Sequence, residues 1–296
     1  MRRAFVTGAG GYVGTALVAD LAAHGWEVTG LAHTDADAAA ARAAGATVAR
    51  GGLDDLDLLR AHAAASDAVL HLAFRHDLPD YAEAVAIDRR TIRLLAGALP
   101  EGGRLATTGA TASLPAGRTG IESDAADPGA PRRGSEDETA AARDAGVAAT
   151  LVRLPPSVHG PGDERGFVTR LIALAAASGR SAYVGDGESL WPAVHRADAI
   201  RVYRAAVETP HAPAVLHAVA EEGIAFGRIA AAIAARLDVP TISLSPEAAA
   251  EHFGVLARFA SLHNPTSSAL TRELTGWEPT HPALLDDVAD AEAYPA

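Results

Sequence analysis

One stretch near the start constrains this chain more than any other: Arg3-Ala4-Phe5-Val6-Thr7-Gly8-Ala9-Gly10-Gly11-Tyr12-Val13-Gly14. The apolar run 4–6 breaks into glycines and resumes as an apolar-periodic segment through Tyr12, Val13, Leu17, Val18 and Leu21. That pattern predicts strand, tight turn and helix. Gly8 lets the backbone turn off the strand, Gly11 lets a pyrophosphate approach the main chain, and Gly14 lets helix and sheet pack closely. A helix starting there offers unpaired N–H groups and its positive dipole end to an anion. Glycines in this spacing, after a strand and before a helix, predict a dinucleotide site; a glycine-rich turn without a ligand is the alternative.

The rest of the first half repeats the same alternation. Strand-like runs at 27–32, 47–49, 67–72 and 104–108 are separated by helical patterns at 36–44, 54–62 and 79–99. Short strands alternating with helices predict parallel βαβ units with right-handed crossovers. Residues 113–135 are rich in Pro, Gly, Asp and Arg and read as an exposed loop near the carboxyl edge. A helix at 136–144 leads to a sixth strand, 148–153, stopped by Pro155-Pro156. Beyond it the rhythm changes, with a turn at Gly160-Pro161-Gly162, helices at 167–177 and 197–207, and strands at 181–184 and 215–218. The expected fold is α/β, a Rossmann doubly wound parallel sheet over 1–158 with return segments at about 192–220. Residues 159–296 mainly form a smaller α/β substrate lobe over the carboxyl edge.

Composition narrows the function. A net charge of −12 argues against a nucleic-acid partner, because phosphate binding needs a basic face. The absence of cysteine excludes disulfides and thiol nucleophiles. No apolar run reaches membrane-spanning length, and Met1-Arg2-Arg3 leads straight into a strand, so a cytoplasmic location is the expectation. The 12 histidines are scattered without metal spacing, and no serine sits in a Gly-x-Ser-x-Gly elbow. Trp191, Pro192, Phe167, Phe253 and Phe259 read as lobe core or as lining for an apolar substrate. Asn264, Ser267 and Ser268 read as helix capping, and the charge run from Asp286 to Glu292 as a solvated tail.

Several motifs together resemble the extended short-chain dehydrogenase/reductases, the group related to sugar-nucleotide epimerases and dehydratases. They are the opening glycine stretch, Gly51-Gly52-Leu53-Asp54-Asp55, His71-Leu72-Ala73, Arg153-Leu154-Pro155-Pro156-Ser157-Val158-His159-Gly160-Pro161-Gly162-Asp163, Val194-His195-Arg196-Ala197-Asp198 and Leu274-Thr275-Gly276-Trp277-Glu278-Pro279. The resemblance implies about seven strands, a nicotinamide cofactor, a substrate lobe, and a homodimer through helices 79–99 and 136–145. By the same resemblance, Gly8, Gly11, Tyr12, Val13 and Gly14 hold the pyrophosphate and Leu53 lies by the adenine. Leu72, Ala73 and Phe74 follow the ribose, Thr107 sits beneath the nicotinamide, and Pro155 meets its carboxamide. An NAD-selective site usually ends the second strand with an acid that accepts from the ribose 2′-OH. Here Ala32 stands there, followed by His33 and Thr34, which are able to donate to a 2′-phosphate. No arginine accompanies them in that loop, and His33 as a solvated loop residue is the plain alternative. The reading leans to NADP over NAD.

The family's reductases use a tyrosine and, four residues on, a lysine that lowers its pKa for general acid–base work. Alignment puts Arg132 at the tyrosine, Glu136 at the lysine, and Gly109 at the partner Ser/Thr. The family's cofactor-facing Asn in the helix after strand four also has no counterpart between Val85 and Leu95. Proton transfer by a placed side chain contributes roughly 10²–10⁴-fold, so a redox enzyme survives its loss with a substitute donor. The candidates are His159, Thr108, Thr111 and His76, each equally readable as a turn histidine or a strand-closing threonine. His71 and His195 read as buried, satisfied histidines. The leading functional expectation is an NAD(P)-dependent oxidoreductase that reduces a carbonyl or imine of a small, largely apolar substrate. A non-catalytic dinucleotide sensor and a sugar-nucleotide epimerase or dehydratase are the alternatives.

Overall fold

Phe5 and Val6 are wholly shielded from water, and the run around them forms β1 (Arg2–Thr7), from which the glycine turn feeds α1 (Tyr12–Ala23). The computed structural model describes residues 1–211, 213–290 and 293–294. After α1 come β2 (Trp26–Ala32), α2 (Asp35–Ala43), β3 (Thr47–Arg50), α3 (Leu56–Ala64) and β4 (Ala68–His71). Then follow α4 (Tyr81–Ala98), β5 (Arg104–Ala110), α5 (Arg133–Asp144), β6 (Ala148–Leu154) and β7 (Ser157–His159). The second half holds α6 (Phe167–Ser178), β8 (Ser181–Val184), β9 (Leu190–His195), α7 (Arg196–Glu208), β10 (Val215–His217), β11 (Glu221–Ala225) and α8 (Phe226–Leu237). It closes with β12 (Thr241–Leu244), α9 (Pro246–Phe253), α10 (Ala257–Ala260), α11 (Ala269–Thr275) and α12 (Leu284–Ala289).

The main sheet has seven strands in the order β10-β6-β5-β4-β1-β2-β3, every pairing parallel. Both faces are covered, as a parallel sheet requires, and all four residues of β4 are buried. One face packs under α1 and α7, where Leu17, Leu21, Val202 and Tyr203 are fully buried. The opposite face packs under α3, α4 and α5 around Leu59, Leu95 and Leu105. Each such side chain contributes about 1.5–3 kcal/mol by leaving water. A third cluster around Trp191, Phe226 and Ile229 is the core of the smaller lobe. Phe253 is buried there, and the Phe167 ring packs 5.6 Å from Trp191 and 4.5 Å from Phe259.

The lobe's sheets are a three-stranded β11-β9-β7 and a two-stranded β12-β8. Pro155 and Pro156 end β6, since proline cannot donate to a ladder, and the chain leaves the main sheet as β7. β9 was not expected, because Pro192 lies inside it. It is tolerated because β7 pairs only with residues 193–195 and β11 bulges between Glu221 and Ile224. The helix expected at 136–144 begins three residues earlier, at Arg133, and the fifth strand runs past 108 to Ala110.

Three further expectations need correction. Asp287 is not part of a solvated tail: it is buried on α12 and bonds His159 Nδ1 at 2.6 Å, while Glu292 lies outside the described residues. Asn264 caps no helix, because its amide is engaged with Thr111. Ser268 makes no side-chain cap bond; Ser267 Oγ accepts from Ala269 N at 3.3 Å.

Candidate functional site

The carboxyl ends of β1, β4, β5 and β6 meet along one edge, beside the start of α1. Gly8 turns there with φ +72°, and a Cβ on it would stand 2.9 Å from Ala73 N. A Cβ on Gly14 would stand 1.9 Å from Gly8 O, so only glycine lets the helix start this close to the turn. Gly11 N–H donates to Gly8 O at 3.0 Å and tightens the loop. No side chain caps α1 and no acidic residue lies in its first turn, so nothing of the helix itself opposes an anion. The residues present therefore fit a dinucleotide's pyrophosphate. The Tyr12 side chain turns away, its hydroxyl donating to Gly160 O at 2.9 Å under the Arg196 guanidinium, 4.3 Å from the ring centroid. Only the backbone of Tyr12 faces the loop's anion site.

Beneath the edge lies a buried polar chain. Thr7 Oγ1 accepts from Leu72 N and Ala73 N, both at 3.2 Å, which leaves its own proton for His71 Nδ1 at 2.7 Å. His71 Nε2–H then donates to Asp88 Oδ1 at 3.0 Å. Asp88 Oδ2 in turn accepts from Arg132 Nη2 at 3.3 Å, and Arg132 Nη2 also donates to Thr108 O at 3.1 Å. Burial opposes charge on Asp88, but the His71 bond and the nearby cation hold its carboxyl below the ordinary range. Asp88 thus lies on the helix where no asparagine was found, facing His71. The hint was present in the sequence: an acid at an apolar-face position of α4 needs a buried partner. The Arg132 guanidinium carbon lies over the Phe74 ring, 4.3 Å from its centroid, and Phe74 packs 5.5 Å from Tyr81 and 4.9 Å from His76. Burial, then the Arg132 and Arg170 cations, lowers the His76 pKa.

The position aligned with the family's lysine is committed elsewhere. Glu136 Oε2 accepts from Arg153 Nη2 at 2.7 Å, both residues buried, and the whole chain contains no lysine. A Cβ on Gly109 would lie 3.0 Å from Glu136 Oε1, so the glycine makes room for this carboxylate. Thr107 is mid-strand, and its hydroxyl pairs with Thr139 Oγ1 at 2.8 Å. Thr108 Oγ1 donates to His71 O at 2.9 Å, which leaves its lone pairs for the Tyr203 hydroxyl at 2.7 Å. Thr111 donates to Asn264 Oδ1 at 2.7 Å, and Asn264 Nδ2 returns a bond to Thr111 O at 2.9 Å. His159 sits in the lobe against Asp287 and edge-on to His195, their centroids 5.5 Å apart. The structure gives these three side chains separate partners and no contact with one another. His195 accepts from Ala197 N at 3.2 Å, and burial lowers its pKa.

At the far end of the edge, Thr34 caps α2 in a reciprocal box with Asp37. Arg50, closing β3, donates from Nη1 to Thr34 O and from Nη2 to Asp35 Oδ1 at 2.9 Å. This arginine lies outside the loop in sequence, and the β2–β3 pairing brings it in with Ala32 opposite Arg50. A Cβ on Gly52 would lie 3.1 Å from His33 Nδ1, so the glycine makes room for His33. Leu53 is buried beside these residues, and Pro155 is buried just past β6.

A glycine-turned helix start on a seven-stranded parallel sheet defines the class, a Rossmann dinucleotide-binding fold. The chain matches the model of the "NAD dependent epimerase/dehydratase family" over residues 4–219 and belongs to that family. It is 46% identical over 295 residues to the uncharacterized protein C2A9.02 of Schizosaccharomyces pombe, spanning 99% of each chain. Among solved structures it is similar to gox2253, with TM-score 0.80, 22% identity, and 99% and 98% of the two chains covered. It is also similar to DesIV, a dTDP-glucose 4,6-dehydratase from Streptomyces venezuelae solved with NAD bound. There the TM-score is 0.78, the identity 17%, and the coverage 97% and 94%. These two likenesses show the fold. Among the described residues no helix is long and apolar enough to cross a membrane.

Proposed function

We propose that this protein is a nicotinamide-dinucleotide oxidoreductase that reduces the carbonyl or imine carbon of a small molecule, working without a tyrosine–lysine pair. The observation that carries the reading is the start of α1, uncapped by any side chain and free of acids, at an edge where Phe74 packs against Tyr81 and Arg132. Bound there, the dinucleotide supplies hydride. The amides at Tyr12, Val13 and Gly14 hold its pyrophosphate, Leu53 covers the adenine, and Leu72 and Ala73 follow the ribose. Phe74 and Tyr81 offer an apolar flank for the body of the substrate. Thr108 and Thr111 already have fixed partners, and His159, bonded to Asp287 through Nδ1, keeps its unpartnered Nε2 buried in the lobe, so solvent at the open edge delivers the proton. His33, Thr34 and Arg50, with Ala32 in place of an acid, favour NADP.

A sugar-nucleotide epimerase or dehydratase is the second reading, favoured by the family description and by the activity of DesIV. It asks for a proton-moving group near the reacting carbon, and Glu136 is committed to Arg153 instead. The test is a fluorescence titration with NADPH and NADH, followed by aldehydes, ketones, imines and sugar nucleotides scored for turnover. NADPH binding with oxidation by a carbonyl or imine supports the proposal. No binding of either dinucleotide overturns it, conversion of sugar nucleotides alone selects the second reading, and binding without any turnover makes the protein a sensor.

A further inference from the structure

At this edge Arg132 is held rigidly yet left with unsatisfied donors. Its Nη2 is fixed by Asp88 and by Thr108 O, and Asp88 is itself fixed through His71 to Thr7. Phe74 closes one face of the guanidinium at 4.3 Å. Nε is buried without a partner, and Nη1 has none among the described residues. A guanidinium cannot shed its proton, so the Nη1 donors, unlike the enclosed Nε, are open to an oxygen acceptor from outside the chain. Three cations, Arg132, Arg170 and Arg258, and two carboxylates, Asp77 and Asp88, act on His76 and Tyr81, in a chain of net charge −12.

We propose that Arg132 anchors the substrate through a carboxylate, so that this edge takes small carboxylate-bearing molecules whose flat apolar part lies along Phe74 and Tyr81. This rests on the oxidoreductase reading of the same edge and narrows it from apolar substrates to anionic ones. Asp88 and His71 are positioning residues: they set the plane of the guanidinium and touch no ligand. Charge-assisted and planar, the contact discriminates by charge more than by size.

The experiment is calorimetric titration of the NADP-saturated protein with benzoate and phenylacetate, each against its neutral amide, and with inorganic phosphate. Both carboxylates are expected to bind at least about tenfold tighter than their amides, since a hydrogen bond to a charged group contributes more than a neutral one. In Arg132→Gln that gap closes while the NADPH affinity stays within about twofold, and in Arg132→Lys part of the gap returns, because the charge survives without the fork. Asp88→Asn is expected to narrow the gap while leaving amide binding unchanged, a split that a merely structural role does not produce. Should Arg132→Gln not fold, the wild-type gap and the Arg132→Lys protein decide. Carboxylates no tighter than amides, an undiminished gap in the variants, or phosphate tighter than both carboxylates each overturns the proposal. None of these results touches dinucleotide binding, so a failure here is distinct from a failure of the oxidoreductase reading.

Discussion

Removing the Glu136 charge tests whether the residue at the family's lysine position has become structural. Its partner Arg153 is 2% exposed and reaches Glu136 Oε2 with Nε at 3.2 Å and Nη2 at 2.7 Å. The same guanidinium donates to Asp124 O at 2.9 Å and lies 3.2 Å from His217 Nε2. The Asp124 contact is to its backbone carbonyl, and the Asp124 carboxylate is paired with Arg118, so Glu136 is the carboxylate bonded to this guanidinium. Glu136→Gln therefore strands a buried cation, which costs about 3–5 kcal/mol. At about 2.1 cal/mol/K per residue, unfolding 296 residues carries an entropy of about 0.6 kcal/mol/K, so the melting temperature is expected to fall by about 5–8 °C. Scanning calorimetry reads this directly. Replacing both partners, as Glu136→Leu with Arg153→Met, is expected to recover most of the loss, because no buried charge remains. A fall below about 2 °C in the single variant would refute the reasoning. So would a tenfold loss of NADPH affinity in the folded variant, since Glu136 would then reach the cofactor.

Other consequences are as specific. Gly14→Ala sets a methyl 1.9 Å from Gly8 O, so dinucleotide affinity is expected to drop by at least about 100-fold, read by fluorescence titration against wild type. Arg50→Ala is expected to weaken NADPH about tenfold and leave NADH unchanged, as loss of a guanidinium–phosphate contact predicts; equal weakening of both would remove Arg50 from cofactor choice. Burial lowers the His217 pKa to about 4, whereas the unfolded chain titrates it near its ordinary 6.5. Between those values the unfolded state binds the extra proton, so stability rises with pH. This contribution is complete above about 6.5 and lost as pH falls toward about 4. A His217→Gln variant whose melting temperature keeps the full wild-type slope between pH 7 and pH 4.5 would show the slope lies elsewhere.

Much was legible in the residue order alone, because some constraints are local. The glycines at 8, 11 and 14, the alternation of short apolar runs with helical ones, and the breaks at Pro155 and Pro156 report backbone geometry that neighbours in sequence impose. They determined the parallel sheet, the anion-ready helix start and the family. What tertiary structure alone decided is which polar groups are consumed by one another. Asp88 and His71 lie 17 residues apart, Thr111 and Asn264 are 153 apart, and His159 and Asp287 are 128 apart. Periodicity carries no trace of such pairings. They arise because a buried polar atom must find a partner wherever the packed chain puts one. That rule joined Thr111 and His159 to partners in the lobe, while strand pairing brought Arg50 to the end of β2 and packing left Arg132 with open donors at the edge.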